Sequence, residues 1–259
     1  MRDFAALHRT AAPLVLPNVW DVASARCLVD AGFPALGTTS LGIAAANGVR
    51  DGVNATDDQT LRLTRSLATL PAHITVDIET GSVATAAAVA AAGAVGVNME
   101  DAMGPATAHA ALIRSVKREV PGLFVNARTD TYWQRSGDLA ETLRRIRLYA
   151  DAGADAVFVP GVAESADIAA VVAAVDVPVN VLFLPGRHTV ATLTELGVRR
   201  ISTGSLLFRA ALAASVQTAL AVRDGLTVGT DLPSYAEVNA EPDVRRGWPE
   251  SDETEGHFG

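Results

Sequence analysis

The sequence predicts an α/β fold of the (β/α)8 barrel type, a ring of parallel strands surrounded by helices. Three observations carry that expectation. Eight short apolar runs alternate with longer, Ala-rich segments of helical character. Glycines stand between helical segments and the next run, as in AGF, AGA, AGAD and LGV around Gly32, Gly93, Gly153 and Gly197, where a left-handed helix end favours them. The length, 259 residues, is close to the roughly 250 that eight βα units need. A doubly wound open sheet fits less well, because no G-x-G-x-x-G follows the first run.

In order, the strands are expected at 14–18, 35–39, 73–79, 96–100, 123–128, 156–160, 179–182 and 200–203. Most are continuous apolar runs rather than alternating ones, as buried parallel strands require. Helices are expected at 23–30, 57–68, 84–92, 106–119, 138–151, 165–174, 190–195 and 205–223, with Asp138 and Ser165 as N-caps. Residues 41–54 are broken by Gly and Asn and read as a long loop. The barrel domain is placed at 1–230, and 231–259 is read as a polar, acidic tail.

Composition narrows the function. With 49% hydrophobic and 19% charged residues the chain is not disordered, and a net charge of −8 argues against nucleic-acid binding. The start lacks a signal-peptide core, and no uninterrupted apolar stretch of membrane-spanning length is evident, so a soluble, cytoplasmic protein is expected. The single cysteine, Cys27, reads as a small core residue of the first helix. His73 opens a strand and reads as structural, His109 and His188 fall near the rim, and the pairs Arg144-Arg145 and Arg199-Arg200 read as solvated.

A barrel places its chemistry at the C-terminal strand ends. There the sequence sets Asp77 and Glu79 on the third strand, Glu100 on the fourth, Arg128 on the fifth and Asn180 on the seventh, with Asp51 in the loop after the second. Asp77 and Glu79, two apart, are expected to point the same way. Crowded carboxylates call for a hard cation, Mg²⁺ or Mn²⁺, and an arginine offers a planar fork to a substrate carboxylate or phosphate. Asp101 and Asp130 read as structural or capping residues.

The segments PNVWDVASARCLVDAGFPALGTTS, NGVRDG, VDIETG, GVNMED, NARTDTY and FVPG resemble the isocitrate lyase/phosphoenolpyruvate mutase superfamily, over about residues 12–225. The resemblance implies a Mg²⁺-dependent barrel that makes or breaks a C–C bond, or in some members a P–C bond, beside a 2-oxo or 2-hydroxy carboxylate. It implies Asp77 as metal ligand, with Glu79, Glu100 and Asp51 in support. Arg128 and the turn Thr39, Ser40 and Leu41 would hold the substrate, with Asn180 beside them. It also implies a homo-oligomer, dimer or tetramer, in which a C-terminal helix is exchanged. Two departures limit it. After the fourth strand, EDAMGPATAH lacks both the lyase K-(K/R)-C-G-H signature and the lysine and asparagine of phosphonate enzymes; the third-strand turn reads Thr80-Gly81-Ser82 instead of Gly-Tyr-Gly. The expected activity is therefore a C–C lyase or hydrolase other than isocitrate lyase. A phosphonopyruvate-type enzyme and a non-catalytic acid-binding barrel stand as alternatives, and His188, Tyr132 or a metal-bound water as open choices for the proton donor.

Overall fold

The computed structural model describes residues 3–239. Its first strand is split by Pro17 into β1 (Leu14–Leu16) and β2 (Asn18–Val19). Proline has no N–H for the ladder, while its carbonyl still accepts from Gly37 N at 2.9 Å. Next come β3 (Ala35–Thr38), β4 (His73–Asp77), β5 (Gly96–Glu100), β6 (Phe124–Arg128), β7 (Ala156–Val159), β8 (Val179–Leu182) and β9 (Arg200–Ser202). Every pairing is parallel; β1 pairs with β9 and β2 with β3, so the two halves of one strand close the ring. This is the expected (β/α)8 barrel.

The surrounding helices are α1 (Val22–Asp30), α2 (Ser40–Ala46), α3 (Asp57–Leu67), α4 (Val83–Ala91), α5 (Ala106–Glu119), α6 (Leu139–Asp151), α7 (Ser165–Ala173), α8 (Val190–Glu195), α9 (Leu206–Arg223) and α10 (Tyr235–Asn239). The four joint glycines take φ from 84° to 106°, as a left-handed helix end requires. Asp138 caps α6 by accepting from Glu141 N at 2.8 Å. Ser165 does not cap α7; Glu164 holds that position without a side-chain bond.

Three further expectations are corrected. Part of the loop expected at 41–54 is helix α2, started by Thr39, whose hydroxyl accepts from Gly42 N. Glycine is needed inside this helix because a Cβ there would meet Trp20 Cβ at 2.8 Å. Cys27 is exposed rather than in the core, because it lies on the outer face of α1. Arg145 and Arg200 are buried, not solvated. Helix α9 lies where expected and packs little against the barrel. It leaves Leu212, Val216 and Leu220 exposed, and with a mean hydropathy of 1.3 it is, by length and composition alone, apolar enough to cross a membrane. Of the expected tail, residues 240–259 lie outside the described residues; residues 235–239 form α10.

Inside the barrel the side chains form three levels. A 3-10 helix at Phe4–Arg9 plugs the N-terminal end, where Phe4 packs with Leu14, Leu16, Ala35, Phe124 and Ala156. Burying such a phenylalanine stabilises by about 1.5–3 kcal/mol. His8 on the same helix donates from Nδ1 to Phe4 O at 3.1 Å and stacks on Phe124. Above this plug the lumen turns polar, with Thr75, Asn98, Asn126, Asn180 and Arg200 all buried. The third level, at the C-terminal strand ends, opens to solvent.

Candidate active site

That mouth holds a cavity of about 490 Å³. Asp77, Glu79, Glu100, Arg128, Asp51 and the Thr39–Leu41 turn all border it, so the structure gathers most of the residues singled out in the sequence. Asn180 does not border it. It sits one level lower on β8, where its Oδ1 accepts from Ser202 Oγ at 3.0 Å, and Leu182 takes its place at the cavity wall.

Arg128 ends β6 and is held from two sides. Its Nη1 lies 2.8 Å from Glu100 Oε2, and its Nε donates to Asp130 Oδ1 at 2.6 Å. Adjacent strands β5 and β6 pair Glu100 with Arg128 in register, which makes the first contact. Asp130 therefore clamps the guanidinium instead of capping a helix. The Trp133 and Phe158 rings flank the same group, each centroid 6.0 Å from Cζ, close enough for cation–π attraction. Despite its burial, Glu100, Asp130 and Asp77 keep Arg128 above the ordinary guanidinium range.

Asp101 anchors this corner from behind. Its Oδ1 accepts from Met103 N and Asp130 N, and its Oδ2 accepts from Arg145 Nη1 at 2.8 Å and Tyr149 Oη at 2.7 Å. Burial opposes ionisation there, but these hydrogen bonds hold the carboxyl below its usual range. Asp101 is structural, as expected. Its partner Arg145 escaped sequence reading because one turn of α6 carries three arginines, Arg144, Arg145 and Arg147, of which Arg144 and Arg147 face water.

The carboxylates opposite are short of positive charge. Burial raises the Asp77 carboxyl above its usual range against the pull of Arg128 and a hydrogen bond from the Ser40 hydroxyl, and Asp51 adds to the rise. Burial likewise pushes Glu100 up to about 8, Arg128 opposing and Asp77, Asp130 and Glu79 assisting. Glu79 is also raised, by burial first and then by Asp51 and Asp77, while Asn54 N opposes.

Glu79 does not point out beside Asp77 by strand alternation. The strand ends at Asp77, and Glu79 takes φ 52°, a left-handed conformation that costs a non-glycine residue about 1 kcal/mol or more. From there its Oε2 accepts from Asn54 N at 2.8 Å and ties down the loop that carries Arg50 and Asp51.

Among the described residues no three His, Cys, Asp or Glu side chains form a ready metal cage. Glu100 is ion-paired with Arg128, and Glu79 accepts from Asn54 N. Asp77 accepts from Glu79 N at 3.4 Å and from the Ser40 hydroxyl; with no ion pair and no short backbone bond among the described residues, it is the candidate direct ligand of the expected trio. Asp51 Oδ1 is shielded from solvent with no hydrogen-bond partner among the described residues. One buried carboxylate, an orphaned second and two more nearby suit Mg²⁺, which keeps several of its waters and takes one or two protein carboxylates. The donor set fits the ion.

Two proposed proton donors fall away from the cavity. Tyr132 donates to Asp167 Oδ2 at 2.8 Å, and His188 is buried beside α8 without bordering the cavity. His109 lies inside α5 against Tyr149, not on the rim. Thr39 gives its N–H to Val19 O, so of the expected turn only the Ser40 and Leu41 amides are left for a ligand. Sequence reading passed over Asn98, Trp133 and Ser202 as wall residues. Asn98 and Ser202 were visible as polar positions on the lumen-facing alternation of β5 and β9.

Comparison with known proteins agrees with this fold. A relative from Mycobacterium tuberculosis, itself uncharacterised, is 43% identical over 92% of this chain and 95% of its own. A Burkholderia cenocepacia structure, provisionally assigned as a lyase/mutase, is 34% identical, with a TM-score of 0.84, covering 93% of this chain and 96% of that one. A phosphonopyruvate hydrolase solved with oxalate and Mg²⁺ shares the fold at 23% identity and a TM-score of 0.78, covering 92% of each chain. The family model for phosphoenolpyruvate phosphomutase matches residues 4–223. The chain thus belongs to the phosphoenolpyruvate phosphomutase family.

Proposed function

We propose that this protein is a soluble, cytoplasmic, Mg²⁺-dependent C–C bond lyase or hydrolase acting on a small 2-oxo or 2-hydroxy carboxylate. The observation that carries the reading is Arg128, locked between Glu100 and Asp130 and facing Asp77 across one small cavity. A fixed cation on one wall and a deficit of positive charge on the other suit a small acid bridging a guanidinium and a metal ion.

Asp77 would hold Mg²⁺ directly, and Asp51, Glu79 and Glu100 would hold its waters; the same set would accept Mn²⁺. When bound, the ion supplies Lewis-acid polarisation of the substrate oxygens. Arg128 binds a substrate carboxylate with a guanidinium whose position is fixed before the substrate arrives. The Ser40 and Leu41 amides add donors at the opposite edge of the cavity. Together these groups face the enolate-like charge that develops when a bond beside a carboxylate breaks. Removing one such donor typically costs about 3–4 kcal/mol of barrier.

The reading includes a homo-oligomer. The apolar stripe Leu212, Val216 and Leu220 on α9 has no cover among the described residues, and exchange of this helix with a second copy would supply it.

The test is a panel of 2-oxo and 2-hydroxy di- and tricarboxylates assayed with and without Mg²⁺ for release of pyruvate, glyoxylate or oxalate. Metal-dependent release from a panel member supports the proposal. The matching family model is named for P–C chemistry, and phosphate release from phosphonopyruvate without C–C cleavage would put that activity in its place. Turnover of neither class, with tight acid binding, would leave a non-catalytic barrel.

A further inference from the structure

The polar level beneath the active site has a direction built into it. Arg200 on β9 is completely buried, at 0% exposure. Its Nη2 donates to Asn98 Oδ1 at 3.2 Å, while its Nε and Nη1 have no partner among the described residues. A guanidinium has donors and no acceptor, so the atom that Asn98 turns toward it is the amide oxygen. The same oxygen accepts from Asn126 Nδ2 at 2.7 Å, the neighbour in register on β6.

Reversing the Asn98 amide would set N–H groups against both donors and strip the buried guanidinium of its one protein acceptor among the described residues. Leaving a buried charged group unsatisfied is heavily disfavoured. With its oxygen held below, Asn98 has its N–H₂ left over, and Asn98 borders the catalytic cavity. It lies between Asp77 on β4, its partner in register, and Glu100, two residues further along β5. An N–H₂ group cannot ligate a cation, but it can donate to an anionic oxygen.

We propose that Asn98 is a substrate-binding donor whose amide N–H₂ meets an oxygen of the small carboxylate, and that Arg200 is the positioning residue that holds it in that sense from beneath. This rests on the proposed acid-binding function and assigns a specificity element to the same cavity. The floor would then read an anionic oxygen independently of the metal.

Calorimetric titration of the full-length protein tests it, first with Mg²⁺ alone and then with oxalate in saturating Mg²⁺. Asn98→Ala is expected to weaken oxalate roughly 10- to 100-fold, the loss of one hydrogen bond to a charged oxygen, with Mg²⁺ affinity unchanged. Asn98→Asp keeps the shape and both bonds from below but turns an acceptor upward, so it should fold normally and lose still more oxalate affinity. Arg200→Met should weaken oxalate in the wild-type background and have no further effect in Asn98→Ala. That non-additivity is the signature of positioning. Wild-type oxalate affinity in Asn98→Ala overturns the proposal, and so do additive losses in the double variant. A wild-type protein that binds no oxalate with Mg²⁺ present overturns the acid-binding reading, and this inference with it.

Discussion

Changing His8 to leucine should make the protein less sensitive to mild acid, by an amount that the barrel plug sets. His8 donates from Nδ1 to Phe4 O, stacks on Phe124 with centroids 4.6 Å apart, and meets the edge of Phe4. Its Nε2 has no partner among the described residues. Burial foremost, and then the Arg200 charge, lower the imidazole from 6.5 to about 3 against the pull of the Phe4 carbonyl. The unfolded chain therefore takes up a proton as pH falls below 6.5, while the folded one stays neutral until about 3. Stability is complete above pH 6.5 and declines as pH falls through that window. At pH 5 the loss from this one group is about 2 kcal/mol. His8→Leu gives up one hydrogen bond, about 1 kcal/mol at neutral pH, and escapes the acid penalty. Urea unfolding of both proteins at pH 7.5 and pH 5.0 measures it. The wild type should lose about 2 kcal/mol more than the variant between the two pH values. Equal losses would refute a buried, neutral His8 at the foot of the barrel.

Three further outcomes follow from the site and its supports. Asp77→Asn should abolish Mg²⁺-dependent turnover and Mg²⁺ binding by calorimetry while leaving the circular dichroism spectrum unchanged; full turnover would remove Asp77 from the metal site. Arg145→Met leaves the buried Asp101 carboxylate without its cation, and should destabilise the fold by about 3–5 kcal/mol in denaturant titration. A loss under 1 kcal/mol would show that Tyr149 and the backbone amides suffice. Val216→Lys, in the exposed stripe of α9, should lower the oligomeric state seen by analytical ultracentrifugation, and an unchanged assembly would exclude that stripe from the interface.

Much of the barrel was legible because its strands announce themselves. HITVD, GVNME and FVNAR each carry a β-branched apolar residue at the second position and end on a charged group, and the glycine joints fix where four of the helices stop. The rim of the candidate site was legible for the same reason, since Asp77, Glu100 and Arg128 terminate consecutive strands. The layer below was not. Thr75, Asn98, Asn126, Asn180 and Arg200 each stand two residues before a cavity-wall residue, so a period of two aims them all into the lumen. Within short runs they pass for breaks in an apolar strand, and Arg200 beside Arg199 looks like surface.

Other differences arose from backbone conformation, which residue type alone does not convey. Glu79 in a left-handed conformation is uncommon for glutamate, and it turns an expected metal ligand toward the Asn54 amide. Helix α2 forms across glycine because Thr39 caps it and Trp20 leaves no room for a side chain at Gly42. Asn180 reads as a rim residue in the sequence, but β8 runs two residues past it, and Leu182, on the same face, reaches the cavity wall instead.

A crystal structure of the protein with Mg²⁺ and oxalate tests the central claim most directly. The account predicts one metal ion on the Asp77 carboxylate, with oxalate lying between that ion and the Arg128 guanidinium. Oxalate bound elsewhere, or a metal ion that ignores Asp77, would contradict it.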